Sequence, residues 1–235
     1  MGIRGLSIGA AALFLAACSS EAPVVEDVDA QLEEALPVMG PEQTILAFGD
    51  SLFAGYQVEQ DEGYPERLEA VLRGRGINAQ VMDAGVSGDT TAEGLARIAF
   101  VLDNAAVAPD LAIVELGGND LLRGISPDQT RANLEGILTE LANREIPTLL
   151  MGMRAPPKYG PEFQTAFDEL YPELATQFDT ALVPFFLESI YERRELIMDD
   201  QIHPTAEGIE VLVAATVDDV VAALPEAEGP EGEGG

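Results

Sequence analysis

Thr44-Ile45-Leu46-Ala47-Phe48-Gly49-Asp50-Ser51-Leu52 reads as a buried strand that breaks at a glycine and hands the chain to a tight turn. The apolar run is too short for a helix and shows no polar alternation, as expected of a strand covered on both faces. Working outward, residues 64–75 place Leu68, Val71 and Leu72 at helical spacing, and Gly76 stops that helix. The alternation then repeats. Further strands are predicted at 79–83, 111–116, 148–151 and 181–184. Helices are predicted over 91–101, from Ser126-Pro127 until Pro147, and over 163–178 and 205–224. The first of these turns Leu95, Ile98 and Leu102 to one side, and the second turns Leu134, Ile137, Leu138 and Leu141 inward. Strands alternating with helices of this length imply right-handed crossovers and a parallel sheet. The expected fold is therefore α/β: three α/β/α layers around a flavodoxin-like parallel five-stranded sheet of order 2-1-3-4-5. In such sheets functional groups gather just beyond the carboxyl ends of the strands.

The chain has 235 residues, 47% hydrophobic and 23% charged, enough for one domain with a sizeable core. Its charge is unusual: 42 Asp and Glu against 12 Lys and Arg give a formal net charge of −30. Such a surface repels phosphate backbones, which excludes nucleic-acid binding, and self-repulsion favours a monomer. The single cysteine, Cys18, permits no internal disulfide. With only one histidine as well, zinc sites built from Cys and His are excluded, and neither metal nor cofactor is expected. Beyond the N-terminus no apolar run is long enough to span a bilayer.

Residues 1–17 carry Arg4 and then a short apolar stretch, the layout of a secretory signal peptide. The stretch ends in Leu15-Ala16-Ala17-Cys18, which resembles a bacterial lipobox. That resemblance implies acylation of Cys18 and a lipid-anchored protein of the cell envelope. Ser19 after the cysteine favours the outer membrane, with the protein facing the periplasm. Residues 18–43 read as an acidic disordered tether, because seven carboxylates and three prolines stand there without one cation. Residues 225–235 read as a similar tail, leaving 44–224 as the folded domain.

Four groups carry the chemistry. Gly49-Asp50-Ser51-Leu52 follows the first strand and Gly85-Val86-Ser87-Gly88-Asp89 the second. Gly117-Gly118-Asn119-Asp120 follows the third, and Asp199-Asp200-Gln201-Ile202-His203-Pro204 stands near the C-terminus. A serine on a sharp strand-to-helix turn has an exposed hydroxyl, but it needs a base to become a good nucleophile. His203, the only histidine, is the sole imidazole available. Asp200 sits three residues earlier and can reach the far ring nitrogen, with Asp199 as its rival. By itself, a histidine beside proline reads equally as a solvated loop residue.

Taken in order, the four groups resemble the blocks of the GDSL (SGNH) hydrolases over about residues 45–224. The stretch 46–56, Glu115-Leu116-Gly117-Gly118-Asn119-Asp120 with Leu122-Arg123-Gly124, and Pro184-Phe185-Phe186 are similar to the bacterial thioesterase I/lysophospholipase and arylesterase subgroup. The resemblance implies the SGNH hydrolase fold, with Ser51 as nucleophile, His203 as base and Asp200 as its orienting acid. It also implies an oxyanion hole of the Ser51 and Gly88 backbone N–H groups and the Asn119 amide. Gln201 departs from the glycine common there.

Asp50 and Asp120 read as loop-bracing carboxylates, and Arg123 and Arg154 either brace loops or face a polar headgroup. Leu121, Leu122, Ile125, Ala155 and Pro156 are expected near the mouth of a shallow acyl cleft, or packed under a loop. The implied function is a serine esterase acting on aryl or short-to-medium acyl esters, with thioesters and lysophospholipids as further substrates. The competing readings are a polysaccharide or peptidoglycan O-acetylesterase and a non-catalytic binding lipoprotein.

Overall fold

The computed structural model describes residues 38–226. The leader, Cys18, most of the tether and the end of the tail lie outside the described residues. Eleven elements matter for the site. They are β1 (Gln43–Gly49), α1 (Tyr64–Gly74), β2 (Ala79–Gly85), α2 (Thr91–Asn104), β3 (Leu111–Glu115) and α3 (Gly118–Arg123). After them come α4 (Pro127–Asn143), β4 (Thr148–Met151), α5 (Pro161–Phe178), β5 (Ala181–Val183) and α6 (Ala206–Ala223). The five strands form one sheet of order β2-β1-β3-β4-β5, every pair parallel.

The pattern of burial follows from that order. The central strands β1 and β3 are buried at every position, which is why Ile45–Phe48 and Leu111–Val114 are unbroken apolar runs. The edge strand β2 alternates only loosely. Helices α1 and α6 pack together, as do α2 with α4 and α4 with α5. Right-handed crossovers put the first pair on one face and the other three on the opposite face.

Helix ends obey local rules. Thr90 caps α2 in a reciprocal box with Glu93, and Thr205 caps α6 by accepting from the Gly208 N–H. The sequence predicted α4 running until Pro147, but it ends at Asn143. Glu145 turns left-handed (φ 59°), and the N–H groups of Arg144 and Ile146 both bond back to the Leu141 carbonyl. The chain must leave the helical region before a proline, and this closing turn is how it does so. Leu95 is only half-buried; Gly94 instead lets α2 approach Leu116, Phe48 and Ile137.

The register aligns the carboxyl edge. Gly49 is paired with both Gly85 and Glu115, Glu115 with Met151, and Met151 with Val183. All five strands therefore end on one row. Beneath that row Phe53 stacks on Tyr64 with centroids 5.0 Å apart, and Phe186 stands edge-on to both. The Tyr64 hydroxyl lies 2.6 Å from Thr216 Oγ1, which joins α1 to α6 inside the core. No described helix is long and apolar enough to cross a membrane.

Candidate active site

Ser51 follows the last residues of β1 in a turn closed by the Ala54 N–H donating to the Asp50 carbonyl at 3.0 Å. Its Oγ is 2.9 Å from His203 Nε2, and His203 Nδ1 is 2.7 Å from Asp200 Oδ2. Asp200 Oδ1 also accepts from the backbone N–H groups of Ile202 and His203, at 2.9 and 3.0 Å. These bonds fold residues 200–203 around one carboxylate, so Asp200 rather than Asp199 meets the ring. Gln201 sits at φ 65°, in the left-handed region, which explains why glycine suits this position. The Met198 N–H donates to the His203 carbonyl at 2.8 Å, and the Tyr56 ring lies over the imidazole at 4.2 Å. Burial pulls the Asp200 pKa up, but the ring and backbone hydrogen bonds outweigh it and hold the carboxyl below its ordinary value. A hydroxyl bonded to an imidazole whose far nitrogen is held by a carboxylate can pass its proton to the ring and attack an electrophile.

The turns after β2 and β3 converge on the same point. Gly88 adopts φ 91°, and the Val86 N–H donates to the Gly49 carbonyl at 3.0 Å. Among the described residues, neither the Ser51 nor the Gly88 backbone N–H has an acceptor. Asn119 donates one amide N–H to Asp50 Oδ2 at 2.9 Å, which leaves its second N–H available. Three donors near one hydroxyl are what an oxyanion needs.

Asp50 and Asp120 brace these turns. Asp50 accepts from the Leu52 N–H as well as Asn119, whereas Asp120 takes the Thr91 N–H, the Thr91 hydroxyl and the Thr130 hydroxyl. Arg123 bonds the Gly88 carbonyl at 2.6 Å and Arg97 the Gly49 carbonyl at 2.9 Å, so two guanidinium groups stiffen the loops. Arg154 lies over the Phe185 ring and is 3.6 Å from Glu188.

One buried group was not singled out from sequence. Glu115, the last residue of β3, is fully buried, and neither carboxyl oxygen meets a donor of good geometry. Its carboxyl lies against that of Asp50, in space that a side chain at Gly49 would fill. Burial, then the neighbouring Asp50 charge, pushes Glu115 well above the usual carboxylic-acid range. Burial raises Asp50 as well, so the pair favours sharing a proton over carrying two buried charges.

Beside the triad runs a cleft of about 440 Å³, lined by Leu121, Leu122 and Pro156 as the sequence suggested. Ile125 and Ala155 do not line it. Ala155 is buried, its N–H held by Asp168 and its carbonyl by Gln164, while Ile125 sits half-buried with its N–H closing a turn onto the Asp120 carbonyl. The opposite wall comes from Phe185, Leu187, Ile190, Tyr191, Ile197 and Ile202, on the irregular stretch between β5 and α6. That stretch has no helical or strand period, so of these wall residues only Phe185 and Ile202, which stand in quoted motifs, gave any signal.

The chain matches the GDSL-like Lipase/Acylhydrolase family over residues 47–211. It is 38% identical to an arylesterase of Vibrio mimicus over 166 residues, 71% of this chain and 82% of the relative. It is 40% identical over 165 residues to thioesterase 1/protease 1/lysophospholipase L1 of Escherichia coli strain K12, 70% of this chain and 77% of that one. Among solved structures it is similar to AlinE4, an SGNH-hydrolase family esterase, at 60% identity and a TM-score of 0.68. That match covers 80% of this chain and 99% of the other.

Proposed function

The chain belongs to the GDSL-like lipase/acylhydrolase family and is an SGNH serine esterase; on that premise we propose that Ser51, His203 and Asp200 are its catalytic triad. Ser51 Oγ attacks the ester carbonyl as His203 Nε2 takes the hydroxyl proton. The Ser51 and Gly88 N–H groups and the Asn119 amide hold the oxyanion. Collapse of the tetrahedral intermediate expels the alcohol, which leaves with the proton from His203, and Ser51 keeps the acyl group. Water then gives a proton to His203 and attacks the acyl-enzyme, and the carboxylic acid departs as Ser51 recovers its proton. Asp200 keeps the productive tautomer and stabilises the transient imidazolium.

The observation that supports this most is the continuous relay Ser51–His203–Asp200, with both links within hydrogen-bond distance. The apolar cleft beside it supports short-to-medium acyl or aryl esters over acetyl groups alone. The lipobox-like leader supports acylation at Cys18, attachment to the cell envelope, and substrates drawn from lipids. Cys18→Ser should then move the enzyme from the membrane fraction to the soluble one.

Hydrolysis of p-nitrophenyl esters from acetyl to palmitoyl, measured with Ser51→Ala alongside, tests the assignment. The expected profile peaks between butyryl and octanoyl and is lost in the variant. Activity confined to acetyl would instead support deacetylation of a polymer, and an unaffected Ser51→Ala would remove the nucleophile.

A further inference from the structure

The cations of this acidic protein are not spread at random. Of its 12 Lys and Arg, three line the cleft beside the triad: Arg154, Arg194 and Lys158, which is the only lysine in the chain. Among the described residues no carboxylate lines that cleft, in a chain that carries 42 of them. Elsewhere the described arginines are answered by carboxylates, except Arg73, whose head bonds the Asn78 amide oxygen and the Ala79 carbonyl. Arg67 meets Glu210, Arg75 meets Asp218, Arg97 meets Asp89, and Arg144 meets both Asp103 and Glu140. Among the described residues neither Lys158 nor Arg194 has a carboxylate within ion-pair distance, and Arg154 has only the long, half-exposed contact to Glu188. Two of the three heads lie against aromatic rings of the same cleft, Arg154 over Phe185 at 5.0 Å and Lys158 near Tyr159 at 5.4 Å.

A cleft with apolar and aromatic walls, and cations that no protein carboxylate neutralises, is matched to an amphiphile with a negative end. We infer that the cleft takes the part of the ester bearing an anionic group, a carboxylate or a phosphate, separated from the scissile carbonyl by an apolar stretch. The apolar stretch lies along Leu121, Ile190 and Phe185, and the anion is met by Lys158, Arg194 and Arg154. Such charge-assisted contacts are stronger than neutral ones and depend on the anion being present. The surrounding acidic surface opposes the approach of any anion, so selection must come from these three heads alone.

The inference rests on the esterase reading, and its test keeps the two apart. The enzyme, its Ser51→Ala variant and a Lys158→Gln/Arg194→Gln double variant are compared on two matched pairs. The first pair is p-nitrophenyl octanoate against the mono-p-nitrophenyl ester of suberic acid, equal in length but ending in a carboxylate. The second is monoacylglycerol against lysophosphatidate of the same acyl chain, which differ by a phosphate. Two charge-assisted contacts predict that kcat/KM for the charged member exceeds the neutral one by about tenfold, and that the double variant removes most of this ratio. A preference confined to the suberate pair places the anion on the acyl side; one confined to the lysophosphatidate pair places it on the alcohol side. Octanoate turnover that disappears in Ser51→Ala upholds the esterase. With that turnover in hand, equal or lower rates on both charged members, or a ratio indifferent to the double substitution, would overturn the anionic-group assignment alone.

Discussion

Beneath Ser51 the carboxyl groups of Glu115 and Asp50 share a site buried from solvent, and two adjacent buried charges are far more costly than one. Holding the proton on Glu115 lets Asp50 remain an acceptor for the Leu52 N–H and the Asn119 amide. Glu115 is thus a positioning residue acting through Asp50 on the oxyanion donor. Glu115→Gln retains a neutral donor and should keep kcat within a few-fold, about the effect of one adjusted hydrogen bond. Glu115→Ala strands the Asp50 charge in a cavity; it should lower kcat more than it alters KM and cost about 3 kcal/mol of stability. The pH dependence has a definite sign. A carboxyl raised on folding stabilises fully below its unfolded pKa of about 4.3, and that stability is lost as pH rises toward the folded value. Melting temperatures from pH 5 to 9 should therefore fall more steeply for the native enzyme than for Glu115→Gln. Parallel curves would mean that Glu115 is already ionised.

At the scale of elements, the site depends on how β3 passes into α3. Gly117 adopts φ 120°, and a Cβ there would strike the Tyr171 hydroxyl, which donates to the Leu116 carbonyl at 3.0 Å. Gly117→Ala should combine backbone strain with loss of that bond, roughly 2–4 kcal/mol together, lowering Tm by about 5–12 °C. Because Asn119 opens the helix, esterase kcat should fall with it; an unchanged Tm would show that the turn relaxes freely. The same junction marks what a sequence can disclose. Strands β1 and β3 were legible because burial on both faces leaves an unbroken apolar run, and α4 because Ser126-Pro127 starts it. Ser51, Gly88 and Asn119 were legible as residues of glycine-bearing turns after strand ends and His203 as the sole imidazole, while their roles came from the resemblance of the four groups in order to the GDSL hydrolases. Helix α3 was not, since six residues carry no period and its anchor, Tyr171, lies 55 residues from Leu116. The far wall of the cleft was hidden for a similar reason: residues 185–202 are placed by tertiary packing rather than by any repeat. Glu115 was quoted as part of a motif, but its burial is a property of the sheet centre that its charge conceals.

Over the whole molecule, a net charge of −30 acts against the compact state and against any anionic substrate alike. Both effects are long-ranged and therefore screened first, as the Debye length shrinks from about 30 Å at 0.01 M salt to about 10 Å at 0.1 M. The attractive pairs that join neighbouring helices within each layer, Arg67–Glu210 and Arg75–Asp218 between α1 or its C-cap and α6, and Arg131–Glu173 between α4 and α5, act at contact and persist better. Adding sodium chloride over this range should therefore raise Tm, because repulsion is lost before attraction. The same ordering governs the cleft. Lys158, Arg194 and Arg154 meet a bound anion at contact, whereas the acidic surface repels it during approach. Relative to octanoate, kcat/KM for the suberate monoester should thus rise between 0.01 and 0.1 M salt, opposite to a cationic site on a neutral protein. A steady fall over that range, with Tm rising as expected, would show that the three cleft cations rather than the −30 surface dominate the field an approaching anion meets.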